Sequence, residues 1–292
     1  MKTDNGESTS VWMATPKTRA EPQLTTDVET DVCIIGAGIA GMTTAYLLAR
    51  EGRRVVVLDD GPVAGGETCR TTAHLVNAPD AYFTELERMH GEHQARLAAE
   101  SHTAAIEKIE EIVRREKISC DFRRLDGFLY AEEGESTETF EAELKAAHRA
   151  GLTDVELIDS VPLESFKTGP ALHFPRQGQF HILKYIKGLA RAIKRDGGQI
   201  HGQTHAAEIE GLTDHSALLK TSNGTVVRAK AVVVATNSPV NDRVVIHTKQ
   251  APYRTYVIGV RVPRGRVPQV LLWDTSDPYH YVRVQPMTRA HD

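Results

Sequence analysis

The first clear hydrophobic pattern in the chain is a short apolar run at Val32–Ile35, which predicts a buried parallel strand. Apolar residues then recur with helical spacing to about Arg50, and Gly52 predicts the end of that helix. A second apolar run, Arg54–Leu58, leads to Asp59 roughly 20 residues further along the chain. This order of strand, helix, strand and acid predicts a Rossmann-like unit.

Three glycines between the first strand and the helix follow the spacing G-x-G-x-x-G. Gly36 allows a sharp turn out of the strand, Gly38 leaves room for a pyrophosphate, and Gly41 lets the helix pack closely on the strand. The helix N-terminus offers free N–H groups and a partial positive charge to phosphates. Asp59 is suited to accept both hydrogen bonds of a ribose diol, which argues against a 2′-phosphate. The set predicts dinucleotide binding; a turn that only packs helix against strand is the alternative.

Similar patterns continue along the chain. Apolar residues at three- and four-residue steps predict three more helical segments: Tyr82–Lys117 with a break at Gly91, Thr137–Ala150, and Leu183–Arg195. Apolar runs and turn signals predict strands at Cys120–Tyr130 with a hairpin turn at Asp126-Gly127, Val155–Ile158, Gln199–His201 paired with Thr204–Ile209, the hairpin Ala217–Val227, Ala229–Thr236, and three antiparallel strands at Tyr253–Val260, Val270–Trp273 and Tyr279–Val284.

Composition narrows the class of protein. The 292 residues, of which 40% are hydrophobic and 25% charged, carry a net charge of −4, so neither nucleic acid nor an anionic membrane is expected as a partner. No apolar run approaches the roughly 20 residues of a membrane span. Three cysteines without a C-x-x-C pair indicate neither a zinc site nor a disulfide framework, and they fit a reducing cytoplasm. Residues 1–26 are predicted to be a flexible arm, with Val11–Met13 either anchored on the body or disordered.

A second glycine-rich stretch follows Asp59. Gly65 and Gly66 mark a turn-rich loop, and Thr68–Thr72 then presents small hydroxyl side chains and backbone N–H groups. Such a segment can approach a flat ring or a phosphate closely; a plain surface loop is the alternative.

The Gly36–Asp59 pattern followed by Gly-Gly-Glu-Thr-x-Arg-Thr-Thr-Ala-His-Leu at 65–75 resembles the FAD-dependent oxidoreductases of the D-amino-acid oxidase and glycine oxidase superfamily. This version of the second motif resembles a bacterial subgroup that often carries a C-terminal Rieske iron–sulfur domain. The resemblance implies an α/β fold: a Rossmann-like FAD-binding domain of the GR2 type with an interleaved α+β antiparallel-sheet substrate domain. We expect the FAD-binding domain at 27–120 and 165–245 and the substrate domain at 121–164 and 246–292.

The resemblance also implies which residues contact FAD. In the superfamily the second segment lies under the pyrophosphate and beside the isoalloxazine, and Ala235-Thr236 resembles a segment whose small residues face the cofactor. Cys69 departs from the pattern, since a small residue is expected there; a covalent flavin thioether is an alternative. The expected cofactor-binding residues are Gly36, Gly38, Ile39, Ala40, Gly41, Asp59, Asp60, Gly65, Gly66, Thr68, Arg70, Thr71, Thr72, Ala73, Ala206, Ala235 and Thr236.

Candidate catalytic residues come from the later part of the chain. Strand alternation places Tyr279, Tyr281 and Arg283 on one face, where relatives form a roof over the flavin that binds a substrate carboxylate. Tyr256 and Arg254 are similar candidates. An ordinary exposed sheet face is the alternative. His181, just before a predicted helix, is a candidate near the flavin or a residue that caps the helix start. We expect no metal site, because His90, His93 and His102 are too widely spaced and no Rieske cysteine–histidine pair is present.

The resemblance implies an oxidoreductase that acts on CH–NH donors. A hydride would pass from a C–H beside an amine nitrogen to flavin N5, and the imine would hydrolyse. The expected partners are a small amine or amino-acid substrate and either oxygen or a soluble electron carrier. The chain stops at Asp292, after a predicted strand, where family members continue, so it looks truncated. Two other functions stay open: a catalytically inactive FAD-domain remnant, and an NAD-linked reductase.

Overall fold

The structure is a computed structural model that describes residues 9–14, 20–131, 136–164, 166–213, 216–238 and 255–286. It confirms the predicted α/β class. The elements follow along the chain as β1 (Val28–Ile35), α1 (Ile39–Arg50), β2 (Val55–Leu58), a 3-10 turn (Glu67–Arg70), β3 (His74–Leu75), α2 (Phe83–His90), α3 (Glu92–Arg115), β4 (Arg123–Tyr130), α4 (Glu138–Arg149), β5 (Glu156–Ile158), β6 (Ala171–Gln179), α5 (Ile182–Arg195), β7 (Gln199–His201), β8 (Ala206–Thr213), β9 (Ser216–Thr221), β10 (Val226–Val234), β11 (Leu271–Asp274) and β12 (Tyr281–Arg283).

The chain divides into two compact units, each assembled from several segments. Unit 1 comprises Met1–Thr71, Ile118–Cys120 and His181–Tyr256; unit 2 comprises Thr72–Lys117, Asp121–Phe180 and Val257–Asp292. The boundaries of these units differ from those of the expected domains. Residues 72–117, expected in the FAD-binding domain, belong to unit 2 because β3 pairs with β6 and α2 packs against α4 there.

Unit 1 is built on a six-stranded sheet with the order β7-β2-β1-β10-β9-β8. Its centre is parallel: β1 pairs with β2 on one side and with β10 on the other. All four residues of β2 are buried, as expected of a β-branched run covered on both faces. The predicted hairpin between β9 and β10 is also present. The predicted pairing of 199–201 with 204–209 is wrong, because β7 lies at one edge of the sheet and β8 at the other.

The N-terminal residues of unit 1 depart from the predicted flexible arm. Trp12 and Leu24 are each only 2% exposed. The N–H of Leu24 donates to the hydroxyl of Thr204 at 3.0 Å, and the amide of Asn223 donates to the Leu24 carbonyl at 2.7 Å. The described parts of the arm are therefore packed on unit 1, because they bring their own apolar side chains and satisfy their backbone polar groups.

Unit 2 is built on a sheet with the order β12-β11-β4-β6-β3, to which β5 adds on β6. The predicted hairpin at Asp126-Gly127 is wrong: β4 runs through both residues, with an irregularity in its register against β6 between Leu125 and Gly127. A Cβ on Gly127 would lie 2.9 Å from the ring of Trp273, so this glycine serves packing between strands instead of a turn. Trp273 lies on β11, which pairs with β4 in parallel and with β12 antiparallel.

The helices of unit 2 form an apolar layer beside the sheet. The predicted break at Gly91 is confirmed, since that residue has φ +84 between α2 and α3. Phe83 of α2 and Phe140 of α4 lie in one buried cluster with Phe174 of β6. The predicted strand at 253–260 is wrong for its described part: residues 255–262 form no strand, and Ile258 is 92% exposed.

A carboxylate links two of these helices. Glu143 of α4 is only 4% exposed. Its oxygens accept hydrogen bonds from the N–H groups of Phe83 and Thr84 at 2.6 and 3.0 Å and from the Thr84 hydroxyl at 2.9 Å. The side chain therefore caps the N-terminus of α2, since the side chain of the N-cap residue Tyr82 does not itself cap the helix.

Replacing Glu143 with alanine should lower the free energy of unfolding by about 2–3 kcal/mol, because one buried and two half-buried donors lose a charged acceptor. Urea unfolding measures the change. Lys145→Ala, on the exposed side of the same helix, is the control and should shift stability by less than about 0.5 kcal/mol. Equal unfolding curves for the two variants would contradict the capping role.

Candidate functional site

The glycine turn brings the end of β1, the start of α1 and the end of β10 into contact. Gly36 has φ +103, and a Cβ there would lie 2.6 Å from the carbonyl oxygen of Ala235. A Cβ on Gly41 would overlap the carbonyl oxygen of Gly36. The N–H of Ala235 donates to the carbonyl oxygen of Ile35 at 2.8 Å, which fixes the end of β10 beside this turn. No side chain fits at Gly36 or Gly41, so backbone alone shapes this surface.

The start of α1 presents backbone N–H groups that have no acceptor among the described residues. Gly38 is the N-cap residue and supplies no side-chain bond to the helix. The Thr68 hydroxyl accepts from the N–H of Ile39 at 3.2 Å. No described residue accepts from the N–H groups of Ala40 and Gly41, as is usual for a first helical turn. These donors and the helix dipole can bind a phosphate group.

Asp59 lies at the end of β2, next to the glycine turn. Its two carboxylate oxygens accept from the N–H groups of Ala37 at 2.6 Å and Gly61 at 2.9 Å. Burial raises the pKa of Asp59, and the two N–H donors oppose that rise. Each oxygen keeps a further lone pair for a hydroxyl. The neighbouring Asp60 is instead exposed, with His205 at 3.9 Å.

The loop at 65–71 carries the next group of expected cofactor residues. Arg70 donates to the carbonyl oxygens of Gly65 and Gly66, each at 3.1 Å, so its guanidinium holds its own loop together. The thiol of Cys69 lies 3.2 Å from the Gly66 carbonyl oxygen. Burial raises the pKa of Cys69, which disfavours the thiolate needed for a flavin thioether.

Two further expected cofactor residues of unit 1 lie at the start of β8 and just after the end of β10. Ala206 begins β8, pairs with Thr221 and is 6% exposed in an apolar cluster. Thr236 donates to the Ser238 carbonyl at 2.6 Å, just beyond the glycine turn. Ala235 is thus brought to the turn with Gly36, whereas Ala206 packs in the apolar cluster that includes Ile35 and Leu58.

In unit 2, Arg283 contacts the end of the hydroxyl-rich segment. Its guanidinium donates to the carbonyl oxygens of Thr72 and Ala73 and, at 3.1 Å, to the side chain of Gln285. Burial lowers the pKa of Arg283 to about 10. Ala73 has φ +55, an uncommon backbone state for alanine that these hydrogen bonds help to hold. The geometry therefore gives Arg283 a role in holding backbone.

The two candidate tyrosines of unit 2 lie together. Their rings meet edge to face, 5.2 Å apart, and the Tyr281 hydroxyl donates to Asp80 at 2.8 Å. Burial is the larger cause that raises the pKa of Tyr281, and the hydrogen bond to the Asp80 carboxylate raises it further. The ring of His74 lies edge-on at 5.4 Å from Tyr281, and burial, with the charge of Arg283, lowers the pKa of His74 to about 3. His74 and Asp80 were not among the candidates, because no spacing in the sequence links them to β12.

A pocket of about 230 Å³ opens beside these tyrosines. No lysine or arginine is among its described lining residues. Its walls carry three carboxylates and four large aromatic rings: Asp80, Asp274, Asp277, Tyr82, Trp273, Tyr279 and Tyr281.

The other catalytic candidates do not join this cluster. His181 is 3% exposed, and its Nδ1 accepts from the N–H of Lys184 at 3.4 Å, which is the helix-capping alternative. Tyr256 is 89% exposed, and no hydrogen bond or ring contact joins it to another candidate within the described ranges. Arg254 lies outside the described residues. Tyr279 precedes β12, so strand alternation does not fix its side.

Two features are absent from the described residues. None of their helices combines the length and apolar character needed to cross a bilayer. No three histidine, cysteine, aspartate or glutamate side chains among them are grouped closely enough to hold a metal ion.

Known proteins resemble this chain over most of its length. YhfW of Bacillus subtilis strain 168, whose name assigns it provisionally to Rieske 2Fe-2S iron–sulfur proteins, is 29% identical over 91% of this chain and 52% of its own length. Gamma-glutamylputrescine oxidoreductase of Escherichia coli K12 is 30% identical over 82% of this chain and 56% of its own length. The chain thus spans about half the length of the curated relatives it matches.

The fold and a family model agree with these relatives. L-proline dehydrogenase from P. horikoshii superimposes with a TM-score of 0.65 at 18% identity, over 89% of this chain and 68% of that one. The chemistry of the glycine turn is compatible with FAD. The turn leaves space for a pyrophosphate, α1 offers N–H donors, and Asp59 keeps lone pairs for ribose hydroxyls. The family model described as DAO, FAD dependent oxidoreductase, matches residues 31–290. The chain therefore belongs to the DAO family of FAD-dependent oxidoreductases, as the resemblance predicted.

Proposed function

We propose that this protein holds FAD on unit 1 and oxidises a C–N bond of a small amine or amino acid. The observation that carries the proposal is the turn Gly36–Gly41, which has no room for a side chain at Gly36 or Gly41 and is flanked by the carboxylate of Asp59 and the hydroxyl of Thr68. FAD, when bound, supplies a two-electron acceptor for the hydride of the substrate. The residues of the chain contribute binding and orientation.

Each part of the turn has a role toward the cofactor. The N–H groups of Ala40 and Gly41 and the α1 dipole neutralise the charge of a pyrophosphate. Asp59, already fixed by the N–H groups of Ala37 and Gly61, accepts ribose hydroxyls with its remaining lone pairs. The family is FAD-dependent, so the NAD-linked alternative has no support.

The pocket in unit 2 favours an amine over a carboxylate as the recognised group. The guanidinium of Arg283 donates hydrogen bonds to the carbonyl oxygens of Thr72 and Ala73, so it is not directed at a substrate carboxylate. The pocket walls instead combine carboxylates with the rings of Tyr279 and Tyr281, a combination that attracts an ammonium group. We propose that this pocket holds the cationic part of the substrate. The hydride would leave a C–H beside a second, uncharged amine nitrogen of the substrate, whose free lone pair forms the C=N bond, so no protein base is needed.

The relatives support an amine donor, since one is named for its action on gamma-glutamylputrescine. A cytoplasmic site is proposed because Cys33, Cys69 and Cys120 are all buried free thiols. Oxygen or a soluble carrier is the proposed electron acceptor.

The alternative function is a chain that binds FAD without turnover. One feature favours it: the candidate Tyr256 lies exposed and outside any described strand. Bleaching of the flavin by an amine under anaerobic conditions distinguishes the two.

The cofactor role of the turn is tested by Gly38→Val. A Cβ at Gly38 meets only the Thr68 hydroxyl, at 3.0 Å, so the variant should fold while its side chain fills the proposed pyrophosphate position. We expect FAD affinity to fall at least about tenfold, or about 1.4 kcal/mol, as measured by flavin fluorescence on titration.

The matched control is Gly259→Val, where a Cβ meets nothing within 4 Å. It should bind FAD like the parent protein. Unchanged FAD affinity in Gly38→Val, with the native unfolding curve retained, would rule out the glycine turn as the pyrophosphate site.

The amine pocket is tested by replacing Tyr279. Tyr279→Leu removes the aromatic face and should raise the KM for putrescine about three- to tenfold, in line with a cation–π contact of about 1 kcal/mol. Tyr279→Phe keeps the face and should stay near the parent value. FAD affinity should be unchanged in both. If leucine and phenylalanine behave alike, the ring face does not bind the cation.

A further inference from the structure

We propose that Ser10–Ala14 forms a clasp on the cofactor loop and that Trp12 is a positioning residue for FAD. The loop in question is Gly65–Thr71. The inference rests on the proposed function, because it assumes that this loop and the start of α1 bind FAD together. The sequence predicted only that Val11–Met13 was either anchored or disordered.

The clasp is a compact turn with two side chains pointing at the loop. The N–H groups of Met13 and Ala14 donate to the Ser10 carbonyl at 3.0 and 3.2 Å. The Ser10 hydroxyl donates to the Cys69 carbonyl at 2.6 Å, and the indole N–H of Trp12 donates to the Thr71 carbonyl at 2.7 Å. Both bonds reach backbone oxygens of the loop, so they fix its path.

The burial of the clasp is selective. Trp12 is 2% exposed, whereas its neighbour Val11 is 54% exposed. The Trp12 ring lies 5.0 Å from the ring of His181 at an interplanar angle of 62°. His181 caps α5, so the indole packs between that helix start and the loop. A segment that merely drapes over the surface would not bury its largest side chain in this way.

The opposite side of the same loop reaches the cofactor turn. The Thr68 hydroxyl accepts from the N–H of Ile39, the first residue of α1. The N–H of Ala64, directly before the loop, donates to the Ala37 carbonyl at 3.1 Å. Among the described residues, Arg70 donates within its own loop, to the carbonyl oxygens of Gly65 and Gly66. Thr68 therefore lies between α1 on one side and the clasp bonds at Cys69 and Thr71 on the other.

This arrangement prepares the loop before FAD arrives. A loop that is free to leave α1 would have to be ordered on binding, and apparent affinity falls in proportion to the fraction of molecules that are competent to bind. The clasp raises that fraction by holding Cys69 and Thr71 from behind. Trp12 acts through the loop and does not itself need to touch FAD.

The test compares Trp12→Phe with Val11→Ala in the full chain. Phenylalanine keeps an aromatic ring against His181 but has no N–H for Thr71. We expect FAD to dissociate about tenfold faster from Trp12→Phe, with an altered visible flavin spectrum and an unchanged urea midpoint. Val11→Ala, on the exposed side of the same turn, should match the parent protein. Ser10→Ala provides a second, smaller loosening of the loop.

A readout without FAD separates the clasp from the proposed function. Cys69 is 4% exposed, so a thiol reagent followed by peptide mapping reports loosening of the loop in the cofactor-free protein. Trp12→Phe should speed labelling of Cys69 about tenfold, while Cys33 and Cys120 stay protected. If Cys69 is labelled faster in Trp12→Phe but neither the parent protein nor any variant binds FAD, the proposed function is wrong and the clasp is supported. Unchanged labelling of Cys69 would overturn the clasp, whatever FAD does.

Discussion

The structure of unit 1 depends on a contact between bare backbones. Helix α1 starts so close to the end of β1 that a Cβ on Gly41 would overlap the carbonyl oxygen of Gly36. Gly36 in turn meets the carbonyl of Ala235, where β10 ends beside β1. Because no side chain separates helix, turn and sheet, the first N–H groups of α1 open directly onto the carboxyl edge of the parallel strands. That edge is where α/β sheets bind their ligands.

The same constraint decides what the neighbouring polar groups do. A backbone turn this tight leaves amide groups that need acceptors, and they are supplied by side chains from later in the chain. The carboxylate of Asp59 accepts a hydrogen bond from the N–H of Ala37, and the hydroxyl of Thr68 accepts one from the N–H of Ile39. Both side chains are thereby fixed in place at the turn. The acid at the end of β2 and the hydroxyl loop after it thus serve as structural supports and as candidate cofactor contacts at once.

The parts that were predictable from the sequence depend on local order along the chain. The glycine spacing, the acid after β2 and the helix break at Gly91 each follow from a few neighbouring residues. The errors involve partners that are distant in sequence: β7 and β8 lie at opposite sheet edges, and Gly127 makes room for Trp273. Trp12 shows the same limit, since its acceptor at Thr71 is 59 residues away. The turn predicted at Asp126-Gly127 is wrong because the packing of Gly127 against Trp273 overrode the local sequence preference.

Arg70 and Arg283, two arginines at the expected cofactor segment, both stabilise backbone instead of presenting a free positive charge. Charge alone suggests that Arg70 and Arg283 bind anions. Both instead donate to backbone carbonyls, Arg70 within its own loop and Arg283 at Thr72 and Ala73. A guanidinium offers five donors in a planar fork, so one side chain can hold two adjacent carbonyls of an irregular segment that has no sheet partner. In the proposed function, anion binding is therefore assigned to the N–H groups of α1, which need no flexible side chain and lose no rotamer entropy when a phosphate binds.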